Sequence, residues 1–382
     1  MRIHIKDSSF IISTNGFADG PAQALRDYLL DVPCETLTVL NHPLVSENKG
    51  EHLVTTYTRG KEKTAKKYNL PNKPPYTYLF DPLVPLSLPA STAWFGFNNL
   101  AALRGLVRRK RGSVDNVYYW AVDFVPNRFG EGVLTRAYNK LDGYVSKNVD
   151  ARIELSKAAL AGRTKHLGLS NKSLATAFVV PMGAWLGKIP KANTSNWKNK
   201  KIVYLGHLVE RQGVDRLIKA IGILNKEGID IRLEVVGDGP MLNNLKEMTN
   251  ELGISQKAKF HGFVKEHKDV EAILASATVA VAPYVKDEKS FTQFADPGKL
   301  KAYLGAGLPI VLTDVPPNAS GIESAGAGIV VNDSPESIAE AIKSYITNQA
   351  KWSEAHKNSL IYAKQFDWND ILTEVLGKIG FK

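Results

Sequence analysis

The pattern of apolar and polar positions is most regular after residue 200. Ile202-Val203-Tyr204-Leu205 is a short apolar run closed by Gly206, which predicts a strand buried on both faces. Residues 213–226 follow with Val214, Leu217, Ile218 and Ile221 at helical spacing. The two patterns then take turns. Strands are predicted at residues 231–236, 259–263, 279–282, 310–312 and 328–331, and helices at 241–252, 270–275, 299–304 and 334–345. Ser334-Pro335 supplies an N-cap and a proline that the first helical turn tolerates. Such alternation predicts an α/β unit with a parallel sheet covered on both faces, which binds ligands beyond the carboxyl ends of its strands.

The first half alternates less cleanly. Its strand signals fall at residues 3–5, 36–40, 78–80, 93–95, 117–122, 143–145 and 176–180, and its helix signals at 21–30, 98–110 and 150–160. Residues 181–200 are rich in Lys, Pro, Gly, Asn and Ser and read as a connection between domains. A last helix is predicted at 368–379 from Ile371, Leu372, Val375 and Ile379.

The length of 382 residues suits two domains at roughly 100–200 residues each. The single cysteine, Cys34, cannot form an internal disulfide, which favours a reducing compartment. Met1-Arg2-Ile3-His4-Ile5 lacks the apolar core of a secretory leader, and no run of about 18 apolar residues occurs, so a cytoplasmic protein is expected.

Charge changes the picture more. The net charge is +11, and residues 1–183 hold 24 Lys and Arg against 15 Asp and Glu. This excess reads either as a solvated basic face or as attraction to an anionic membrane surface or phosphorylated acceptor. No zinc-knuckle, helix-turn-helix or RNP-like pattern supports nucleic acid. The densest basic cluster, Arg108, Arg109, Lys110 and Arg111 with Arg104 behind it, ends a segment carrying Leu100, Leu103, Leu106 and Val107. That segment is either membrane-binding or an ordinary helix with its arginines in water.

Four glycine-bearing motifs follow one another in the second half. They are Gly206-His207-Leu208 through Gly213, then Val236-Gly237-Asp238-Gly239-Pro240, then Phe260-His261-Gly262-Phe263-Val264. Last comes Pro297-Gly298-Lys299-Leu300 through Gly307-Leu308-Pro309-Ile310-Val311. In this order they resemble the donor-binding domain of retaining glycosyltransferases with the GT-B fold, of the broad family-4 or group 1 type. The resemblance is strong over residues 199–350. Over 1–183 it rests on Phe95-Gly96-Phe97-Asn98-Asn99 and Tyr119-Trp120-Ala121-Val122-Asp123-Phe124-Val125-Pro126.

The resemblance implies two Rossmann-like, doubly wound domains facing each other across a cleft. Residues 1–183 would be the acceptor side, 184–362 the donor side, and 363–382 a helix crossing back to the first domain. It implies hexosyl transfer, with retention, from a UDP- or GDP-linked nucleotide sugar as co-substrate, with no other cofactor. The acceptor would be a glycan or a polyprenyl-phosphate-linked glycan, reached from the inner face of the membrane. No D-x-D triplet occurs, so cations and helix ends, with no metal, are expected to neutralise the diphosphate. Two rivals stay open: a non-catalytic GT-B scaffold and a nucleotide-sugar epimerase.

The expected site residues follow. Pro297, Gly298, Lys299 and Leu300 suit a helix N-terminus aimed at a diphosphate, with Lys299 adding charge. Relatives place Arg and Lys in the first motif where this chain has His207 and Gln212, so Arg211 and Lys299 are the candidate replacements. Gly262, Phe263 and Val264 are expected at the nucleobase. Asn15, Gly16 and Gly20 form a glycine-bearing loop expected to face the diphosphate. Asp123, after an apolar strand, is the candidate at the reacting centre, and Arg128 would hold an acceptor phosphate or pair with Asp123. Relatives carry two glutamates at the positions of Phe294 and Ala302, so Asp296 is the nearest carboxylate for the donor sugar. Ala302→Glu is expected to restore a ribose contact and tighten nucleotide binding.

Overall fold

The computed structural model describes residues 3–16, 20–43, 51–70, 81–85, 87–168, 173–286 and 291–382. The chain forms two compact units, Met1–Pro181 with Trp368–Lys382, and Met182–Asp367.

In the first unit the described strands are β1 (Ser9–Asn15), β2 (Thr36–His42), β3 (Glu51–Thr58), β4 (Lys61–Asn69), β5 (Ser91–Gly96), β6 (Val114–Ala121), β7 (Ala151–Glu154) and β8 (Ala177–Val179). They form one sheet in the order β4-β3-β2-β1-β5-β6-β7-β8. β1, β2 and β5 to β8 pair in parallel, whereas β3 and β4 add an antiparallel hairpin at one edge. Helices α1 (Pro21–Asp31), α2 (Asn99–Lys110), α3 (Val133–Asn148) and α4 (Lys157–His166) supply the crossovers. The helix Trp368–Lys378 belongs to this unit: Thr373 bonds Tyr28 of α1 at 2.9 Å, and just past the helix Phe381 packs its ring, tilted, against Phe10 of β1.

Several expectations change here. Residues 3–5 were expected to be a strand, but Ile5–Asp7 is a 3-10 turn, and the buried triplet Phe10-Ile11-Ile12 makes the central strand instead. The strand expected at 78–80 lies outside the described residues. Residues 143–145 sit within α3, because a three-residue apolar run cannot distinguish helix from strand. Residues 150–160, expected as one helix, hold β7 and the start of α4, whose N-cap Ser156 accepts from the Ala159 N–H at 2.9 Å. β4 reads Lys-Glu-Lys-Thr-Ala-Lys-Lys-Tyr-Asn and is almost wholly exposed. Four of the first half's lysines therefore guard an open sheet edge against pairing with another chain.

The second unit holds β9 (Lys201–Leu205), β10 (Arg232–Val236), β11 (Ala258–Gly262), β12 (Val279–Ala282), β13 (Ile310–Thr313) and β14 (Gly328–Val331). Its helices are α5 (Val214–Lys226), α6 (Leu242–Glu251), α7 (His267–Ala275), α8 (Gly298–Gly305), α9 (Ala319–Ser324), α10 (Pro335–Ile346) and α11 (Gln349–Ala363). The all-parallel order β11-β10-β9-β12-β13-β14 reverses direction between β9 and β12. Side chains alternate between two buried layers. Ile202, Tyr204, Val279 and Val281 join one, and Val203, Ala280, Ala282, Ile310 and Leu312 the other. Both faces being covered explains why these strands read as unbroken apolar runs. α11 was not expected from the sequence; its buried Trp352 donates to the Thr278 carbonyl at 2.7 Å.

Candidate functional site

The reversal of strand order sets the site in the second unit. There the loops after β9 and β12 meet, and that meeting needs glycine. Gly213 has φ +67°, and a Cβ on it would collide with the Pro283 carbonyl oxygen. Gly237, at φ +139°, packs its bare Cα against the Gly206 carbonyl in the same way. The carboxyl ends of β9, β10 and β11 thereby frame a cavity of about 760 Å³, lined in part by Gly206, His207, Gly237, Asp238, Phe263 and Val264. His207 is exposed, and Phe263 is 77% exposed at the rim, so Phe263 is not core packing. Gly262 takes φ +69° immediately before it.

Lys299 adds a buried amine to this region. α8 brings its ammonium to the floor of the first glycine loop, where a Cβ on Gly206 would lie 2.6 Å from Nζ. Nζ donates to Gln212 Oε1 at 2.6 Å and to the Tyr204 hydroxyl at 3.3 Å, and it lies over the rings of Tyr204 at 4.4 Å and Tyr284 at 5.0 Å. All these partners are neutral, and no carboxylate pairs with Lys299 among the described residues. Burial lowers its pKa from 10.5 to about 7. Gln212, read from the sequence as a missing cation, is thus the acceptor that steadies the cation supplied by α8. A one-residue glutamine signal gave no means of finding this pairing in advance.

The first turn of α8 adds donors. Pro297 is its N-cap, no side chain caps the turn, and Leu300 is buried beneath it. Gly298 keeps its backbone open, with a Met182 methyl as its nearest neighbour at 3.4 Å. Arg211 stacks its guanidinium on Phe291 at 4.9 Å.

Asp296 is placed differently from the expected sugar acceptor. Oδ2 accepts from the Met182 N–H at 2.6 Å, and Oδ1 accepts from Asn318 Nδ2 at 2.9 Å and from the Lys301 ammonium. With 7% of its surface exposed, it is an internal anchor for the segment entering this unit. Ala302 is partly exposed and packs against the buried layer that holds Leu300 and Leu304.

In the first unit, Asp123 stands two residues past β6 and is exposed, in an ion pair with Arg128. Burial works against the Arg128 cation, but the hydrogen bond and charge of Asp123 outweigh it and raise the pKa. The Asp123 carbonyl accepts from Arg163 at 2.7 Å. Arg163 is itself buried against Asp142 and Glu154, with the Tyr119 hydroxyl donating to Asp142 at 2.7 Å. This buried ion network fixes the backbone at the end of β6.

Asn15 ends β1, and Gly16 follows at φ +92°, its N–H bonded to the His42 carbonyl at 2.8 Å. Asn15 Nδ2 donates to Asp81 at 2.8 Å, and its Oδ1 accepts from Asn98 at 2.6 Å. Gly20 is the extended N-cap of α1.

The basic cluster is largely satisfied by its own unit. Arg104 donates to the carbonyls of Asp81, Val84 and Pro85, and Arg108 to those of Leu88 and Pro89. Arg109 pairs with Asp150 at 2.5 Å. Lys110 and Arg111 are exposed. No helix of the described residues is long and apolar enough to cross a membrane.

Residues 187–365 match the family model "Glycosyl transferases group 1". Among curated proteins, a GDP-mannose-dependent alpha-(1-6)-phosphatidylinositol dimannoside mannosyltransferase of Mycobacterium tuberculosis is 27% identical over 181 residues. That match spans 47% of this chain and 43% of the relative, so it covers under half of each. Among solved structures, sucrose-phosphate synthase from Thermosynechococcus elongatus superposes with a TM-score of 0.73 at 12% identity, over 97% of this chain and 98% of that one. Anabaena HepE, solved in complex with UDP, gives 0.69 at 14% identity, over 97% and 99%. The sequence expectation of a GT-B fold with two Rossmann-like units is met.

Proposed function

We propose that this chain, whose residues 187–365 match the group 1 glycosyl transferases, moves a hexosyl group from a nucleoside diphosphate sugar to a glycan or lipid-linked acceptor. The observation that carries the proposal is Lys299. It places an amine that has no carboxylate partner among the described residues beside Gly206 and the uncapped first turn of α8, where a diphosphate finds both a basic group and N–H donors. Arg211 adds a second cation, and His207, Gly262, Phe263 and Val264 take the nucleoside.

Retention is the proposed outcome. The acceptor hydroxyl attacks the anomeric carbon on the face from which the diphosphate departs. One C–O bond forms as the other breaks, and the hydroxyl proton passes to a departing phosphate oxygen. Asp123 stabilises the positive charge that develops on the sugar, and Arg128 pairs with Asp123. The phosphatidylinositol-linked acceptor in the mycobacterial relative's name supports a lipid-linked acceptor here, and HepE's complex with UDP supports a nucleoside diphosphate in the donor site.

The test is a thermal-shift panel of UDP, GDP and their sugars, followed by transfer from the binding donor to a lipid-linked glycan. A ligand that binds the folded state raises its stability. Donor binding with sugar transfer supports the proposal. Stabilisation by none of the nucleotides, or binding without turnover on any acceptor, would overturn it.

A further inference from the structure

His42 closes β2 and His52 lies on β3, one step beyond the antiparallel pair Asn41 and Leu53, so the two histidines stand opposite each other. Their Nδ1 atoms are 2.9 Å apart. Asp81, in the 3-10 turn Asp81–Leu83, brings Oδ1 to 3.7 Å from both nitrogens. All three side chains are buried, with relative exposures of 2%, 1% and 6%. Asp81 Oδ1 has no hydrogen-bond partner among the described residues, and neither does His52 Nε2. Two facing imidazole nitrogens share at most one N–H between them. A buried carboxylate oxygen aimed at that pair and left unpaired is costly.

One cation at the centre of this triangle satisfies all three atoms. A tetrahedral ion about 2.0–2.1 Å from nitrogen and about 2.0–2.2 Å from oxygen sets its ligands ~3.3–3.5 Å apart. The observed edges of 2.9, 3.7 and 3.7 Å surround that value. The other carboxylate oxygen is already fixed, because Asn15 Nδ2 donates to Oδ2 at 2.8 Å, the kind of outer contact that orients a ligating carboxylate. Two imidazoles and one carboxylate select a borderline transition-metal ion over Mg2+ or Ca2+. We infer that the first unit binds one divalent transition-metal ion of the zinc class through His42 Nδ1, His52 Nδ1, Asp81 Oδ1 and a water. The ion ties the end of β2, β3 and the Asp81 turn together. Through Asp81, Asn15 and Asn98 it steadies the Asn15–Gly16 loop and the start of α2, since Asn98 also caps that helix. This ion is separate from any metal on the donor diphosphate, whose proposed charge partners lie in the second unit.

The full chain, stripped by a chelator and dialysed, is titrated with Zn2+ by calorimetry and with Co2+ by visible absorption, with Mg2+ as control. Expected are one Zn2+ per chain, the intense d–d bands of tetrahedral Co2+ abolished by added Zn2+, and no displacement by Mg2+. His52→Gln and Asp81→Asn each weaken Zn2+ by ~100-fold or more, and Asn15→Ala by ~10–100-fold as an outer contact. The wild-type Co2+ spectrum decides even if a variant fails to fold. Absence of both the tetrahedral bands and stoichiometric Zn2+, or stoichiometric binding unchanged in both ligand variants, would overturn the inference.

Discussion

Lys299 makes nucleotide affinity depend on pH in a calculable way. Burial lowers its pKa from 10.5 to about 7. Between those values the unfolded chain carries a proton on this residue that the folded protein lacks. Its contribution to stability therefore rises with pH across that window, and its penalty is fully present below pH 7. A bound diphosphate reverses the preference by favouring the ammonium. Above about pH 7, binding must take up a proton, at a cost approaching ~1.4 kcal/mol, or tenfold in affinity, per pH unit. The phosphates are already ionised there, having their last pKa near 6, so the interval from about pH 7.5 to about pH 9 isolates the lysine. Calorimetry of the better-binding nucleoside diphosphate, in buffers of different ionisation enthalpy, should show affinity falling toward that slope with uptake of up to one proton. Lys299→Met keeps an apolar stem against the rings of Tyr204 and Tyr284 and removes the charge. It should bind ~1.5–3 kcal/mol more weakly near pH 7 and lose the slope. Affinity that stays flat to pH 9 with no proton uptake would refute both the depressed pKa and the placement of the diphosphate.

Asp123→Asn should lower turnover by ~10²-fold or more while leaving nucleotide affinity unchanged, and near-normal turnover removes Asp123 from the reacting centre. Arg211→Ala should weaken nucleoside diphosphate binding by ~1.5–3 kcal/mol, and calorimetry showing wild-type affinity excludes it from the phosphate site. Ala302→Glu should lower the melting temperature, corresponding to ~1–3 kcal/mol, because the longer side chain enters a packed layer; tighter nucleotide binding with unchanged stability would contradict that packing. Charge-driven association with anionic vesicles should fall with salt and with Lys110→Gln plus Arg111→Gln, at roughly 1 kcal/mol per residue, whereas equal binding to neutral vesicles argues against it.

The second unit was legible because its chemistry is written in backbone terms. Strands β12 and β13 are buried along their whole length and read as apolar runs, and glycines sit where loops cross at contact distance, so Gly206, Gly213 and Gly237 appear in order along the chain. The first unit hid its strands behind charge. β7 carries Arg152 and Glu154 pointing into a buried ion network with Arg163, and alternating charges look like the outside of a helix until their partners are known. β4 was missed because an exposed edge strand needs no apolar face. At the site, the positions were readable and the pairings were not. Gln212 and Lys299 are 87 residues apart, as Asp296 and Met182 are 114 apart, and spacing along a chain carries no information about such contacts.

The return of residues Trp368–Lys382 to the first unit has a consequence for how the protein is made. The second unit is one uninterrupted stretch, Met182–Asp367, and can close as soon as its last helix emerges from the ribosome. The first unit starts earlier yet finishes last. Its opening segment waits for Gly380 and Lys382, whose carbonyls accept from the Ile3 and Ile5 N–H groups at 2.9 Å. The face of α1 that receives Thr373 stays uncovered until then. A chain cut after Asp367 should therefore lose integrity at Asp123 and the Asn15–Gly16 loop while still folding around Lys299, so that early termination leaves a nucleotide binder without the partner half needed for transfer.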